Sequence, residues 1–389
     1  MAKRPNFLVF GKPNIGPEEI AEVVATLASG WIGTGPKVEK FESMFKKYAN
    51  SRYALAVNSA TAGLHLALKA VGIEQGDEVI TTPLTFCSTA NVIIHCGGTP
   101  VFADVDKDTW NIDPDEITKK ITPRTKAIIP VHLHGRPCNM RAILKIARKH
   151  NLFVIEDAAH AIETVYHGKK VGSIADITVF SFYATKNITT AEGGMVTTNN
   201  KKWADMIKVM RLHGLSHDAY KRYSVKTFKH YQAMLPGYKY NMTDLQAAMG
   251  IQQLKKISSF AKTRKKHWLR YNDAFKDMPE LILPAKDEED TTHARHLYAI
   301  LTVPEKLDID RDRFVEELIG LNIGTGIHFF PVHLHPYYQT AFGYKRGDFP
   351  NAEFIGDRIL SLPLGANLTK TDINDVIEAV RFIVNRHRK

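Results

Sequence analysis

The sequence predicts an α/β fold: a large domain with a mostly parallel central sheet, followed by a smaller α+β C-terminal domain. Three observations carry this. Between about residues 53 and 199, short β-branched runs alternate with stretches of helical period. An aperiodic stretch rich in His, Tyr and Lys follows over 212–240, and a second series of helix and strand patterns then runs to the C-terminus. Parallel neighbours need a crossover, usually a helix, so the alternation reads as a sheet covered on both faces. A chain of 389 residues, 44% hydrophobic and 24% charged, has room for two or three domains, and its ordinary globular composition excludes a disordered or fibrous chain.

Apolar, β-branched runs predict strands over 54–57, 78–81, 100–103, 127–131, 152–155, 177–182 and 195–198. Helical period predicts helices over 62–70, 88–95, 114–121 and 140–150. Thr243-Asp244-Leu245-Gln246 spells a capping box, starting a helix that runs towards Ile257 and continues through the basic stretch 255–270 into the second domain. The domain boundary is set at residue 255, giving a large domain 1–255 and a small domain 256–389. In the latter, strands are expected over 295–303 and 324–329, and helices over 311–321 and 370–386.

Only Phe7 to Phe10 form an apolar run near the N-terminus, too short for a signal-peptide core, and no long uncharged apolar stretch occurs. Three cysteines, Cys87, Cys96 and Cys138, without CxxC spacing, support neither a disulfide framework nor a zinc site; no metal is expected, and the expected compartment is the cytoplasm. Lys plus Arg exceed Asp plus Glu by 11, which raises nucleic acid, anionic membranes and phosphorylated small molecules as partners. The basic residues are dispersed and no nucleic-acid-binding motif stands out, so the expectation is no nucleic acid and no membrane span.

In a parallel sheet ligands bind at the carboxyl ends of the strands. Three such places carry reactive residues. Asn58-Ser59-Ala60-Thr61-Ala62-Gly63 opens a helix with small and hydroxyl residues, which is either a phosphate site or an ordinary N-cap. Phe153 to Glu156 lead into Asp157, which either holds a protonated nitrogen or caps the next helix. Lys186 follows a buried strand among aromatics, where desolvation favours a neutral, nucleophilic amine able to form an imine with a carbonyl; in isolation it reads as a surface charge. Together, a phosphate cradle, an acid and an amine match the protein's share of pyridoxal 5'-phosphate (PLP) chemistry.

The motifs Gly30-Trp31-Ile32-Gly33-Thr34-Gly35-Pro36, Asn58 to His65, Glu156-Asp157-Ala158-Ala159-His160-Ala161, Ser181-Phe182-Tyr183-Ala184-Thr185-Lys186-Asn187 with Glu192-Gly193-Gly194, and Pro236 to Asn241 resemble, in order, those of the DegT/StrS-type sugar-nucleotide aminotransferases. The resemblance implies the type I PLP-dependent aminotransferase fold and a homodimer with shared active sites. It also implies amino transfer from L-glutamate, which leaves 2-oxoglutarate, to a keto sugar on a nucleotide diphosphate. It makes Lys186 the Schiff-base lysine and proton shuttle, Asp157 the partner of the pyridine nitrogen and His160 a neighbour of the phenolic oxygen. Ser59, Ala60, Thr61 and Ser181 would hold the phosphate and Phe86 would stack on the ring. Lys239 or Asn241 would reach the phosphate from the partner subunit; many relatives have Asn where Lys239 stands.

The wording around Lys186, Lys239 and His328 is most similar to members acting on UDP-4-keto sugars, which implies a role in cell-surface polysaccharide or lipopolysaccharide biosynthesis. Thr34, Arg211 and His328 are the candidate substrate contacts; Arg211, His213, Lys221, Arg222, Lys226 and Lys229 are either diphosphate attractors or solvated loop charges, and His328 and His333 either line the sugar pocket or pack between domains. Other nucleotides, 3-keto sugars and a non-catalytic relative are the competing readings. The last would be expected to have lost Lys186 or Asp157, and both are present.

Overall fold

A computed structural model describes residues 3–216 and 232–389. The N-terminal part of the chain contains strands β1 (Tyr53–Val57), β2 (Glu78–Thr81), β3 (Thr99–Phe102), β4 (Thr125–Ile129), β5 (Phe153–Asp157), the hairpin pair β6 (Val165–Tyr166) and β7 (Lys169–Lys170), β8 (Ile177–Ser181) and β9 (Gly194–Thr198). Its helices are α1 (Pro17–Ala28), α2 (Pro36–Ala49), α3 (Ala60–Ala70), α4 (Ser88–His95), α5 (Pro114–Lys120), α6 (Met140–His150) and α7 (Lys201–Met210). The long α8 (Asp244–Phe275) leads to β10 (Leu281–Ile282), β11 (Thr291–Thr292), β12 (Tyr298–Thr302), α9 (Arg311–Gly320), α10 (Pro336–Phe342), α11 (Pro350–Arg358), β13 (Ile359–Leu362) and α12 (Lys370–His387).

Seven strands form the central sheet in the order β1-β9-β8-β5-β4-β2-β3. The pairs β2–β3, β2–β4, β4–β5 and β5–β8 are parallel, whereas β9 runs antiparallel to both β1 and β8. Consequently β1, β5 and β8 end at the same edge, and β9 begins there. Asn58, Asp157, Ser181 and Gly194 are thus gathered at one rim although up to 136 positions separate them in the chain. Fully buried strands need no polar face, which is why Val57, Ile129, Ile155, Ile177 and Val196 all pack against α3 and α7 in one core.

Thr243 accepts the Gln246 amide while the Gln246 side chain accepts the Thr243 amide, so the predicted capping box starts α8, which continues unbroken for 32 residues. Up to Phe260 its apolar residues join the core beneath β1 and β8. From Trp268 onward they join a separate core with Tyr298, Leu360 and α12. Residue 255 therefore lies inside a helix.

The stretch 324–329 is not a strand. Gly324 bonds the backbone of Leu8, and Gly326 bridges Ser361, so the segment is pinned once on each side. A Cβ at Gly324 would sit 2.8 Å from the Leu8 carbonyl oxygen. The glycines serve close backbone approach here and not a ladder. No helix among the described residues is long and apolar enough to cross a membrane.

Candidate active site

At the carboxyl edge of the sheet lies a cavity of about 620 Å³ lined by Ser59, Ala60, Thr61, Phe86, Asp157, His160, Ser181, Lys186 and His328, among others. Nine of the sequence-predicted residues thus meet in one place, contributed by β1–α3, the turn before α4, the ends of β5 and β8 with the turns after them, and the segment between α9 and α10.

Ser59 caps α3: its Oγ accepts the Ala62 amide at 3.1 Å and its carbonyl accepts the Gly63 amide. The amides of Ala60 and Thr61, in the first helical turn, are left with no intrahelical acceptor and with the positive end of the helix dipole behind them. Gly194 approaches this turn so closely that a Cβ would lie 2.7 Å from the Ser59 carbonyl carbon and 2.8 Å from the Ala60 nitrogen. The N-cap is therefore present, and the same turn leaves free amides of the kind a phosphate needs, so the two readings do not exclude each other.

Asp157 closes β5 and is buried. One carboxylate oxygen accepts the Thr89 hydroxyl at 2.8 Å and the other accepts the Ala159 amide at 3.1 Å. Thr85 stands 2.9 Å from the Thr89 hydroxyl and is its donor, because the Thr89 proton is committed to Asp157. Burial nevertheless raises the Asp157 carboxyl above the usual range, with Thr89, the Ala159 amide and Lys186 acting in the opposite direction. It is an acid in want of a cationic partner.

Lys186 sits in the turn after β8, its amide bonded to the Tyr183 carbonyl. Burial depresses its ammonium from 10.5 to about 8, while the Asp157 carboxylate acts to raise it. A fraction of uncharged amine is therefore present near neutral pH, which nucleophilic attack requires. His160 is buried, and Nδ1 accepts the His134 amide at 3.2 Å, so its proton resides on Nε2. Burial and the neighbouring Lys186 hold it well below the ordinary histidine value, and the ring is a neutral donor. Phe329 stacks on it at 5.9 Å and 14°, and Phe86, 58% exposed, lies 6.2 Å from Phe329.

Among the described residues, the candidates Arg211, His213, Thr34, Lys239, Asn241 and His333 do not line this cavity. Arg211 is buried beside the edge strand β1, where its guanidinium pairs with Glu42 at 2.5 Å and with the Ala56 carbonyl at 2.7 Å. The expected substrate contact thus does not line the cavity; its bonds tie α2 and β1 together. Thr34 donates to the Met242 carbonyl at 2.5 Å and accepts from the Asn241 amide at 2.6 Å. Asp244 accepts the amides of Gly35, Lys37 and Val38, which locks this loop onto the start of α8. Lys239 is exposed, and its carbonyl accepts from Asn58 at 3.3 Å. Thr34 is thus bonded to Asn241, Lys239 and Asn241 lie beside the end of β1, and none of the three lines the cavity of its own chain. His333 is buried against Glu353 at 3.0 Å and Phe349, a core residue, whereas His328 lines the cavity and meets Ser361 at 3.0 Å. Lys221, Arg222, Lys226 and Lys229 lie outside the described residues.

Sequence reasoning missed Thr89, His134 and His296. Thr89 lies three residues beyond Phe86, in the first turn of α4, a usable signal. His296 enters the cavity from the far side of the chain, just before β12, and nothing local marks it.

PLP fits the residues present. The cavity offers free helix-start amides beside a glycine, a buried acid, a desolvated lysine and an exposed aromatic ring, which are the complements of its phosphate, ring nitrogen, aldehyde and ring face. Residues 13–381 match the pattern of the DegT/DnrJ/EryC1/StrS aminotransferase family. The chain is 54% identical over 99% of its length to an uncharacterized protein of Methanocaldococcus jannaschii, covering all of that protein. It is 53% identical to the spore coat polysaccharide biosynthesis protein SpsC of Bacillus subtilis, with 98% of each chain covered. Among solved structures, a Streptococcus pneumoniae protein assigned as a sugar aminotransferase, in its PLP form, superimposes with a TM-score of 0.91 at 32% identity over 98% of this chain and 99% of that one. Helicobacter pylori PseC, an aminotransferase of pseudoaminic acid biosynthesis, gives 0.90 at 30% identity over 98% and 100%.

Proposed function

Since this chain belongs to the DegT/DnrJ/EryC1/StrS aminotransferase family, of type I fold and PLP-dependent, we propose that it transfers an amino group from L-glutamate to the keto carbon of a nucleotide-diphosphate sugar. A UDP-4-keto sugar is the first candidate and a cell-surface polysaccharide the destination. The observation that carries the reading is the convergence of Lys186, Asp157 and the free amides of Ala60 and Thr61 on one cavity. The similarity to SpsC supports the polysaccharide assignment.

When bound, PLP supplies an aldehyde for an amine and a ring that withdraws electrons from the carbon being deprotonated. The chain does the rest. The amides of Ala60 and Thr61 and the hydroxyls of Ser59 and Ser181 bind the phosphate dianion. Asp157, held by Thr89, accepts the N–H of the ring nitrogen and keeps that nitrogen protonated. His160 offers Nε2–H to the ring's phenolic oxygen. Phe86 covers one face of the ring and limits water there. Lys186 Nζ carries a proton from the donor carbon and returns it to the acceptor, a task suited to an amine poised near 8. Lys239 and Asn241 are assigned to the cavity of a second copy, with Thr34 beside them.

The test incubates the protein with L-glutamate and a panel of UDP-, GDP- and dTDP-linked 4-keto and 3-keto sugars, and follows sugar mass and 2-oxoglutarate. Gain of an amine by the UDP-4-keto member is expected; a panel with no aminated sugar and no 2-oxoglutarate refutes the transferase reading. Mixing inactive Lys186→Ala with inactive Asn241→Ala chains should restore partial turnover if sites are shared. No recovery after subunit exchange refutes the shared site.

A further inference from the structure

The histidines around Lys186 are wired to one another in a way that fixes where each proton sits. His134, with a left-handed backbone at φ 56°, is the hub. Its amide donates to His160 Nδ1, its carbonyl accepts the His296 amide at 2.9 Å, and its Nε2 donates to the His328 carbonyl at 2.9 Å. Beside it, Gly135 at φ 95° is required, since a Cβ would meet the His160 carbonyl oxygen at 2.7 Å and Ala294 at 2.9 Å.

Asn187 completes the wiring. Its Nδ2 donates to Glu163 at 2.6 Å and to the Ala294 carbonyl at 3.3 Å, both acceptors, and the second Glu163 oxygen is paired with buried Arg264. The amide orientation is therefore set, and Oδ1 faces His296 Nδ1 at 2.8 Å. That nitrogen must carry the proton, which leaves Nε2 with a free lone pair. His160 and His296 face each other, ring centroids 4.4 Å apart, as opposite tautomers. One presents a donor and the other an acceptor, and both rings line the cavity with Lys186. Among the described residues no hydrogen-bond partner for His296 Nε2 is found.

We propose that His296 is a positioning residue for Lys186: its Nε2 lone pair accepts an N–H of the lysine ammonium and turns the amine toward the reacting carbon. The inference rests on Lys186 being the amine that carries the cofactor. It explains why an arrangement reaching from Arg264 through Glu163 and Asn187 is built behind a ring with no other task. Other groups facing the amine are Asp157, His134, His160 and His328. Burial keeps the three histidines uncharged at neutral pH, so they do not compete as bases for that proton.

Nitrogen NMR of histidine-labelled, cofactor-free protein reads the tautomers directly. His296 is expected to be protonated at Nδ1 and His160 at Nε2; His296 protonated at Nε2 overturns the proposal without any variant. The pH midpoint of Lys186 acylation, followed by mass spectrometry on the same cofactor-free protein, reads the contact. His296→Phe removes an acceptor that favours the charged amine, so the midpoint should fall by about one pH unit, a tenfold change. His296→Gln, which keeps an acceptor, should restore at least half of the difference. An unmoved or higher midpoint in His296→Phe overturns the contact. If that variant does not fold, Asn187→Leu, which frees the tautomer, should move the midpoint the same way, and no movement there is equally decisive. Borohydride reduction of the cofactor-loaded protein separates the two hypotheses. Absence of a cofactor mass on Lys186 refutes the functional reading itself, whereas a labelled Lys186 with the wrong His296 tautomer refutes only this inference.

Discussion

Replacing Lys186 by Met should stabilise the cofactor-free protein at neutral pH while abolishing transamination. The lysine lies where burial lowers its ammonium from 10.5 to about 8. That fall corresponds to roughly 3 kcal/mol of unfavourable free energy in the folded state at about 1.4 kcal/mol per pH unit. Because the side chain lines an open cavity, screening reduces the figure to about 1–2 kcal/mol. The unfolded chain binds the proton more tightly than the folded one, so the cost is fully present below pH 8 and disappears as pH rises through 10.5. Met keeps the volume and removes the charge. Thermal melts of wild-type and Lys186→Met cofactor-free protein, run from pH 6 to 10.5, should show the variant ahead by about 2–3 °C at pH 7 and level at the alkaline end. A variant that is less stable at pH 7, or an advantage that does not change with pH, would refute the claim that Lys186 is a desolvated amine.

Thr89→Val keeps shape but deletes the hydroxyl that Asp157 accepts at 2.8 Å, and orphans Thr85; PLP affinity should fall about tenfold by absorbance titration, because a hydrogen bond to a charged group contributes about 1.5–3 kcal/mol. Gly194→Ala drives a methyl into the Ser59–Ala60 backbone, so PLP binding should weaken by at least about tenfold while circular dichroism stays unchanged. Arg211→Met strands Glu42, and chemical denaturation should show a loss of about 2–3 kcal/mol with KM for the sugar unaltered. A raised KM would return Arg211 to the substrate site.

Much of this protein was legible in one dimension. Strand and helix periods marked seven of the sheet's strands because buried parallel strands are short apolar runs, and the Thr243–Gln246 box marked the start of α8 because capping is a local event. Lys186, Asp157 and the Ser59 turn were visible because each lies at the carboxyl end of a strand or in the turn after it. Their roles came from the resemblance of whole motifs, since no single motif separates a phosphate cradle from a plain N-cap. Other features required the fold. Arg211 looks in sequence like any loop cation, and only the positions of Glu42 and Ala56 make it a buried tie. The reversed direction of β9, which brings Gly194 against the Ser59 turn, depends on pairing and not on composition. His296 and Asn187 are 109 positions apart, and a tautomer is decided by which acceptor faces which nitrogen. Local chemistry written into the chain determined the elements and the reactive groups; the proton positions, the buried pairs and the shape of the cavity were decided by long-range contacts, because hydrogen bonds and burial depend on distance in space.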